Sequence, residues 1–263
     1  MSTRVQELLK RGFGNLRHEP TERRIRADDA LDSTRALLVW EPRRVVPSYA
    51  VPEDDITASV APSSAPVPDQ QVPGVLHPGI PFAVHTAAGS AVDVGGRTGA
   101  GFRLDEIPGY VVLDFAAFDR WYEEDEPVLG HPRDPFSRVD VRRTSRPVRI
   151  EIDGQVVAET THARLLFETG LPTRFYLPRS DVRGELVPSA RRSYCPYKGE
   201  ASYWSLGDHV DVAWSYEHPL ADGPLIDGLV AFWDEKVEVY LDGQRQGAPA
   251  GEGADALREA FAV

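Results

Sequence analysis

Apolar and polar residues alternate over short stretches of this chain, and glycine or proline ends most of these stretches. In PVRIEIDGQVVAE, Val148, Ile150 and Ile152 alternate with Arg149 and Glu151. A period of two places the apolar side chains on one face of a strand. The Asp-Gly pair that follows is typical of a two-residue hairpin turn, and VEVYLDG ends on a second such pair. The pattern therefore predicts a mainly β protein built from short antiparallel strands.

Helical periodicity is brief wherever it occurs. The 22 glycines and 22 prolines interrupt the chain too often for long helices. We expect short helices only at residues 5–10, 115–123 and 254–261.

Similar segments occur twice along the chain. RALLVWEPRRVVPSYAVPEDDI resembles ARLLFETGLPTRFYLPRSDV, AVDV (91–94) resembles HVDV (209–212), and RVDV (138–141) resembles KVEV (236–239). We therefore expect two tandem copies of one small antiparallel β domain, at residues 21–142 and 145–250, with a boundary near 142–146. Residues 1–20 are expected to be an N-terminal extension, 251–263 a C-terminal tail, and the Pro- and Ser-rich segment 57–74 a surface loop. On this alignment Cys195 lies opposite His77, and the first copy has no counterpart of Lys198.

Composition limits the classes of partner and cofactor. A net charge of −12 argues against nucleic-acid binding, which depends on lysine and arginine. No run of apolar residues is long enough for a membrane span and the N-terminus does not resemble a signal peptide, so we expect no membrane partner and a cytoplasmic location. One cysteine cannot form an intramolecular disulfide or a Cys-rich zinc site. His77, His85 and His131 have no ligand spacing, so neither a metal nor another cofactor is expected.

The only cysteine lies in the segment YCPYKGEASYW, beside one of three lysines among 29 basic residues. A lysine retained where arginine is otherwise preferred suggests a specific role. One hypothesis makes Cys195 a catalytic nucleophile, with Lys198 stabilising its thiolate and Glu200 transferring a proton. The alternative is structural: Cys195 is a small buried residue and Lys198 pairs with Glu200. If Lys198 serves only the thiol, Lys198→Met is expected to leave the melting temperature nearly unchanged.

Aromatic residues are concentrated in the second copy, which suggests a small-molecule pocket. The residues expected to line it are Arg174, Tyr176, Tyr197, Tyr203, Trp204 and Trp214. We expect a small anionic or aromatic metabolite as ligand. The same residues are compatible with an ordinary β core, and the protein would then be a non-catalytic interaction or scaffold protein. The sequence predicts neither the ligand nor the oligomeric state.

The second copy resembles the domain-of-unknown-function 427 (DUF427) family. The resemblance rests on GQVVAETTHARLLFETGLPTRFYLPRSDV, YCPYKGEASYWSL, AWSYEHPL and LVAFWDEKVEVYLDG. The first copy resembles the divergent N-terminal half of two-domain members, through RALLVWEPRRVVPSYAVP, LHPGIPFAVHT and HPRDPFSRVDV. The resemblance implies a compact antiparallel domain similar to the β-tent (Mss4-like) group, which includes methionine sulfoxide reductase B and zinc-binding relatives. It implies no known activity. Some members carry a nucleotidyltransferase label, but the paired aspartates that would hold two metal ions after a Gly-Ser motif are missing here.

Overall fold

In a computed structural model of the protein, residues 14–64, 75–250, 254, 255 and 258 are described. These residues form short antiparallel strands and a few short 3-10 helices, which confirms the predicted fold class. The chain divides into two compact units between Asp134 and Pro135. We call them the first and the second unit.

The described part of the first unit contains two sheets. Its strands are β1 (Arg17–Pro20), β2 (Ile25–Ala27), β3 (Leu31–Ser33), β4 (Leu37–Trp40), β5 (Ser48–Pro52), β6 (Val60–Pro62), β7 (Gly89–Val94), β8 (Arg97–Leu104), β9 (Tyr110–Leu113), β10 (Trp121–Glu123) and β11 (Glu126–Val128). The larger sheet has the order β1-β4-β5-β9-β8-β7-β6, and the smaller one has the order β11-β10-β2-β3. Two 3-10 helices occur at Glu53–Asp55 and Phe115–Ala117.

The second unit has the same two-sheet arrangement. Its strands are β12 (Val139–Arg143), β13 (Val148–Ile152), β14 (Gln155–Thr160), β15 (Arg164–Glu168), β16 (Arg174–Pro178), β17 (Leu186–Cys195), β18 (Gly199–Leu206), β19 (His209–Tyr216), β20 (Leu229–Phe232), β21 (Glu238–Leu241) and β22 (Gln244–Arg245). The sheet orders are β12-β15-β16-β20-β19-β18-β17 and β14-β13-β21-β22. The 3-10 helices occur at Arg179–Asp181 and Pro224–Ile226.

In each unit the main core lies between the two sheets, because alternate residues of both sheets point inward. In the second unit Val148, Ile150 and Ile152 of β13 pack in this core with Phe175 and Leu177 of β16. The alternation read from the sequence is therefore confirmed for β13. Both Asp-Gly hairpins are confirmed as well, since the aspartate and the glycine of each turn have positive φ.

The prediction of a helix at residues 115–123 is wrong. The Asp114 carboxylate accepts a hydrogen bond from the Ala116 N–H and supports one 3-10 turn, after which the chain becomes strand β10. Trp121 of β10 is buried and stacks on Phe115, with ring centroids 5.2 Å apart. Pairing with β2 thus overrides the weak helical spacing. The helix expected at 5–10 lies outside the described residues, and of the one at 254–261 only Ala254, Asp255 and Arg258 are described, as helical.

The strand orders also correct the alignment of the two copies. AVDV lies in β7 and HVDV in β19, but the counterpart of β7 in the second sheet is β18. RVDV contributes to β12, which pairs with β15 as β1 pairs with β4. β12 therefore corresponds to β1 of the first unit, and RVDV is not the counterpart of KVEV. The division between the units therefore precedes the expected boundary, and β1 begins within the expected N-terminal extension. Within segment 57–74, residues 60–62 form β6 at the sheet edge, and 65–74 lie outside the described residues.

Candidate functional site

The outer face of the larger sheet in the second unit carries a second buried cluster, on the side away from the main core. We call it the outer cluster. It consists of Val141, Leu166, Tyr176, Ala201, Tyr203, Trp214, Tyr216, Ile226, Ala231 and Trp233. The buried residues of the corresponding cluster in the first unit are aliphatic, namely Val39, Ala50, Leu104, Ile107 and Val112, and the partly buried Phe102 and Tyr110 pack against them. The buried residues of this sheet face are therefore mainly aromatic in the second unit and aliphatic in the first.

Lys198 lies in the turn between β17 and β18, at the edge of the outer cluster. Gly199 follows it with a φ of 98°, a left-handed conformation that glycine adopts most easily. The Lys198 carbonyl accepts a hydrogen bond from the Leu220 N–H, 3.1 Å away, which fixes the turn to the next loop. The Lys198 side chain is buried and its ammonium forms an ion pair with the Glu168 carboxylate.

This ion pair shows that the sheet curves around the outer cluster. Glu168 ends β15, whereas Lys198 precedes β18, and three strands lie between these two in the sheet. Four inter-strand spacings of about 4.8 Å would separate them by at least ~19 Å in a flat sheet. A glutamate and a lysine side chain together do not reach that far. The outer face is therefore concave.

The charge state of Lys198 follows from its surroundings. Burial alone would lower its pKa, but the Glu168 carboxylate raises the pKa of Lys198 above its usual value. Lys198 is therefore an ammonium in the folded protein and is unsuited to act as a neutral amine nucleophile. It can donate hydrogen bonds and stabilise negative charge.

A second buried ion pair lies at the other side of the outer cluster. The Arg174 guanidinium donates to both carboxylate oxygens of Glu235, at 2.8 and 2.7 Å, and lies 3.7 Å from Asp234. It also lies over the rings of Trp214 and Trp233, 5.6 and 5.3 Å from their centroids. Burial raises the pKa of Asp234 to about 7. As predicted from TRFYLP, Arg174 and Tyr176 share one face of their strand.

Cys195 is partly exposed and packs against the outer cluster near Lys198. Cys195 lies within electrostatic range of Lys198, Tyr176 and Tyr216. Tyr176 accepts a hydrogen bond from the Trp214 indole N–H, 3.1 Å away. Burial raises the pKa of both tyrosines, so both hydroxyls stay protonated at neutral pH.

Not all of the predicted site residues meet here. Tyr203 belongs to the outer cluster and its hydroxyl lies 2.7 Å from Ser193 Oγ, whereas Tyr197 is buried in the turn beside Lys198. Trp204 points to the opposite face, where it packs against the main core and donates to Ser215 Oγ. Glu200 points the same way as Trp204, is exposed, and lies 3.4 Å from Arg192.

Four members of the site were missed by the sequence reading: Glu168 as the ion-pair partner of Lys198, and Tyr216, Trp233 and Glu235. Tyr216 had a usable signal, because in AWSYEH it lies two residues beyond Trp214 and therefore on the same strand face. Glu235 had none, since it is far from Arg174 in sequence and reaches it only through the sheet.

The first unit has a counterpart of this carboxylate, because Glu41 follows β4 as Glu168 ends β15. One Glu41 oxygen lies 2.7 Å from His85 Nδ1, and the other accepts from the N–H groups of Thr86 and Ala87. Although burial raises it, these contacts hold the pKa of Glu41 below its usual value. His85 thus contacts this carboxylate in the first unit, as Lys198 contacts Glu168 in the second. The expected alignment, which placed Cys195 opposite His77 and gave Lys198 no counterpart, is corrected accordingly.

The three histidines considered as ligands do not converge in the described structure. His85 contacts Glu41, His131 Nδ1 lies 2.7 Å from the Pro132 carbonyl, and His77 Nδ1 accepts from the Gly79 N–H. Among the described residues there is no group of three or more His, Cys, Asp or Glu side chains placed to hold a metal ion. No helix in the described part of the chain is long and apolar enough to span a membrane.

Fold and site define a small antiparallel β domain that buries two ion pairs within an aromatic, concave sheet face. Residues 140–243 match the family model described as domain of unknown function DUF427, and this match lies within the second unit. The second unit is therefore similar to the DUF427 family over residues 140–243. No curated protein shows significant similarity to the chain.

Proposed function

We propose that the second unit binds a small aromatic molecule on the concave face around the CPYKG turn. The observation that carries the proposal is the buried Lys198–Glu168 pair within the aromatic outer cluster. Burying two charges costs free energy that apolar side chains would not cost. The first unit has the same strand order with aliphatic buried residues on this face, so the fold itself does not require the buried aromatic residues.

The charges of the face favour an uncharged aromatic ligand over an anion. Arg174 and Lys198 are matched by Glu235 and Glu168, and Asp234 adds a further carboxyl group. No excess positive charge is left for an anionic ligand. Of the two ligand classes expected from the sequence, the aromatic one is therefore proposed and the anionic one is not.

Protein NMR with a charge series of one-ring ligands tests this proposal. We expect benzyl alcohol to shift amide signals of β16, β18 and β19, and benzoate to bind more weakly. Signals of the first unit serve as the internal control, because the buried residues of its outer cluster are aliphatic. Amide signals of the second unit that stay unchanged at millimolar concentrations of every ligand would contradict the proposal.

A second candidate is structural, and the first unit supports it. Glu41 and His85 also join the end of one strand to a distant segment, so a carboxylate at this position can serve to close the sheet. In that case the CPYKG turn stabilises the fold of a non-catalytic interaction protein. Loss of the ion pair without loss of stability would argue against this candidate.

We further propose that the first unit is a diverged copy of the DUF427 domain and that both units have the β-tent fold. Support comes from the identical strand orders of the two larger sheets. A solved structure in which neither unit superposes on a β-tent protein would overturn this assignment.

A further inference from the structure

We propose that the first unit binds a small oxyanion at the buried guanidinium of Arg44. The site is independent of the aromatic ligand proposed for the second unit. Within the described part of the chain, the buried lysine and arginine residues are Arg44, Arg174 and Lys198. Arg174 and Lys198 pair with carboxylates, whereas Arg44 makes no ion pair with any described residue. Because an isolated buried charge is costly, the missing partner of Arg44 indicates a bound anion.

The hydrogen bonds of Arg44 are incomplete in the same way. The residue is 0% exposed, and its Nη2 donates to the carbonyl oxygens of Pro81 and Val84, at 3.2 and 2.6 Å. Its Nε and Nη1 have no hydrogen-bond partner among the described residues. Buried donors of this kind are rare in folded proteins and cost free energy. A water molecule would supply only an acceptor, whereas an oxyanion supplies both the acceptor and the opposite charge.

The backbone around Arg44 is strained in a way that buries its side chain. Residues 41–44 form a tight turn, closed by a hydrogen bond of 3.0 Å from the Arg44 N–H to the Glu41 carbonyl. Arg43, at the third position of this turn, has a φ of 70°, a conformation that glycine or asparagine usually adopts. Such strained positions are concentrated at functional sites. The strain therefore agrees with a specific role for the buried arginine.

The segment after residue 75 covers the guanidinium. The Leu76 N–H donates to the Arg43 carbonyl, 2.8 Å away, and so joins this segment to the turn. The Phe82 ring then lies over Arg44, 5.0 Å from the guanidinium carbon to the ring centroid, and is itself only 5% exposed. The site is thus enclosed, which limits its ligand to a small ion. Movement of this segment is needed for the ion to enter.

Two carboxylates lie within electrostatic range of Arg44, but both are engaged elsewhere. Glu41 contacts His85 and accepts from two backbone N–H groups, and Asp114 accepts from the Ala116 N–H. These carboxylates reduce the cost of burying the guanidinium, yet they accept from none of its open donors. The acceptor must therefore come from a ligand.

The same groups make anion binding depend on pH. Burial raises the pKa of Asp114, and a bound anion raises it further because like charges repel. His85 also lies within electrostatic range of Asp114 and adds positive charge when it is protonated. Together with Arg44 and the ionised Glu41, these groups carry a net positive charge when both are protonated and a net negative charge when neither is. Binding should therefore be stronger at lower pH.

Nitrogen-15 NMR of the arginine side chains in the full-length protein tests the site. The Arg44 Nε–H signal is assigned by its loss in Arg44→Met. Titration with formate, a planar carboxylate, and with sulfate, a tetrahedral oxyanion, should shift this signal and the Val84 amide signal to saturation with at least one of the two. Affinity should fall about tenfold or more from pH 6 to pH 8, because uptake of one proton allows a factor of ten per pH unit. Arg44→Met should abolish the shift of Val84.

Arg43→Asn is the matched control. It removes an exposed positive charge next to Arg44, and asparagine tolerates the left-handed backbone, so the titration should be unchanged. Circular dichroism establishes that each variant is folded. If Arg44→Met does not fold, Arg44→Lys keeps the charge and should weaken binding, because it lacks the guanidinium donors.

An oxyanion retained through purification would block the titration. Ion chromatography after acid denaturation detects it, and about one oxyanion per chain would support the proposal. If no signal shifts and no anion is released, water fills the site and the proposal fails. A shift of Val84 that persists in Arg44→Met would place the anion elsewhere and also refute it. Neither result bears on the binding of benzyl alcohol to the second unit.

Discussion

At the scale of single residues, Lys198 and Glu168 show how the site depends on pairing. Both side chains are 9% exposed, so solvent screens their interaction little. Removing one partner leaves the other charge buried and uncompensated. The stability of the second unit is therefore tied to the same contact that positions the lysine on the proposed binding face.

Lys198→Met is expected to destabilise the protein by about 3–5 kcal/mol, the usual cost of breaking a buried pair from one side. This reverses the expectation from the sequence, which foresaw no change in melting temperature. Urea unfolding measures the difference, with Lys236→Met as the control because Lys236 is exposed. The double variant Glu168→Gln with Lys198→Met should recover part of the loss, since it leaves no unpaired charge. Equal stability of Lys198→Met and Lys236→Met would contradict this account.

Asp234 makes the stability of the second unit depend on pH. An unfolded aspartate titrates near 3.9, whereas burial raises the pKa of Asp234 to about 7 in the folded protein. Between these values the folded state holds a proton that the unfolded state has lost, so stability falls as pH rises from about 4 to 7. Asp234→Asn should therefore increase the free energy of unfolding at pH 8, by between about 1 and 4 kcal/mol, and have little effect at pH 4.

Urea titrations at the two pH values measure this effect. Asp208→Asn is the control, because Asp208 is exposed in the turn before β19. An Asp234→Asn variant that is less stable than the parent at pH 8 would show that the ionised carboxylate stabilises the Arg174 cluster instead.

At the scale of elements, the β17–β18 hairpin determines where Lys198 and Cys195 lie. Its turn depends on Gly199, where an added Cβ would lie 3.3 Å from the His218 carbonyl oxygen and 3.5 Å from Leu220 Cγ. The φ of 98° is also unfavourable for any residue with a side chain. The turn is thus specified by backbone conformation and by contact with the following loop.

Gly199→Ala should destabilise the protein by about 1–3 kcal/mol, through strain at positive φ and crowding against the loop. Gly223→Ala in the same loop is the control, since its φ is −119° and a Cβ there makes ordinary contacts from 3.6 Å. Chemical denaturation of both variants measures the difference in their free energies of unfolding. A Gly199→Ala variant as stable as Gly223→Ala would mean that the turn adjusts freely.

The sequence predicted those elements whose signal is local. The alternation in β13 and the two Asp-Gly turns are properties of a few neighbouring residues, and both were confirmed. The Lys198–Glu168 pair was not predictable in this way, because it joins residues that the curvature of a sheet brings together. Residues 115–123 were misread for a related reason: pairing of β10 with β2, far away in sequence, decides their conformation.

At the scale of the whole molecule, each unit buries its own cores, so each has the contacts needed to fold by itself. The position of β12 shows where the units divide. This strand pairs with β15 along five residues, and its Val141 belongs to the outer cluster beside Leu166. A cut at the boundary expected from the sequence would remove β12 and expose the edge of β15.

Two fragments therefore test the division. Residues 135–263 should unfold cooperatively and retain the near-ultraviolet circular dichroism of the buried tryptophans, because they include every strand of both sheets of the second unit. Residues 145–263 lack β12 and should be less stable by about 2 kcal/mol or more, since they lose a whole edge strand and the burial of Val141. Equal stability of the two fragments would show that β12 does not belong to the cooperative unit. Failure of residues 135–263 to fold would show that the second unit needs the first, although each has a core of its own.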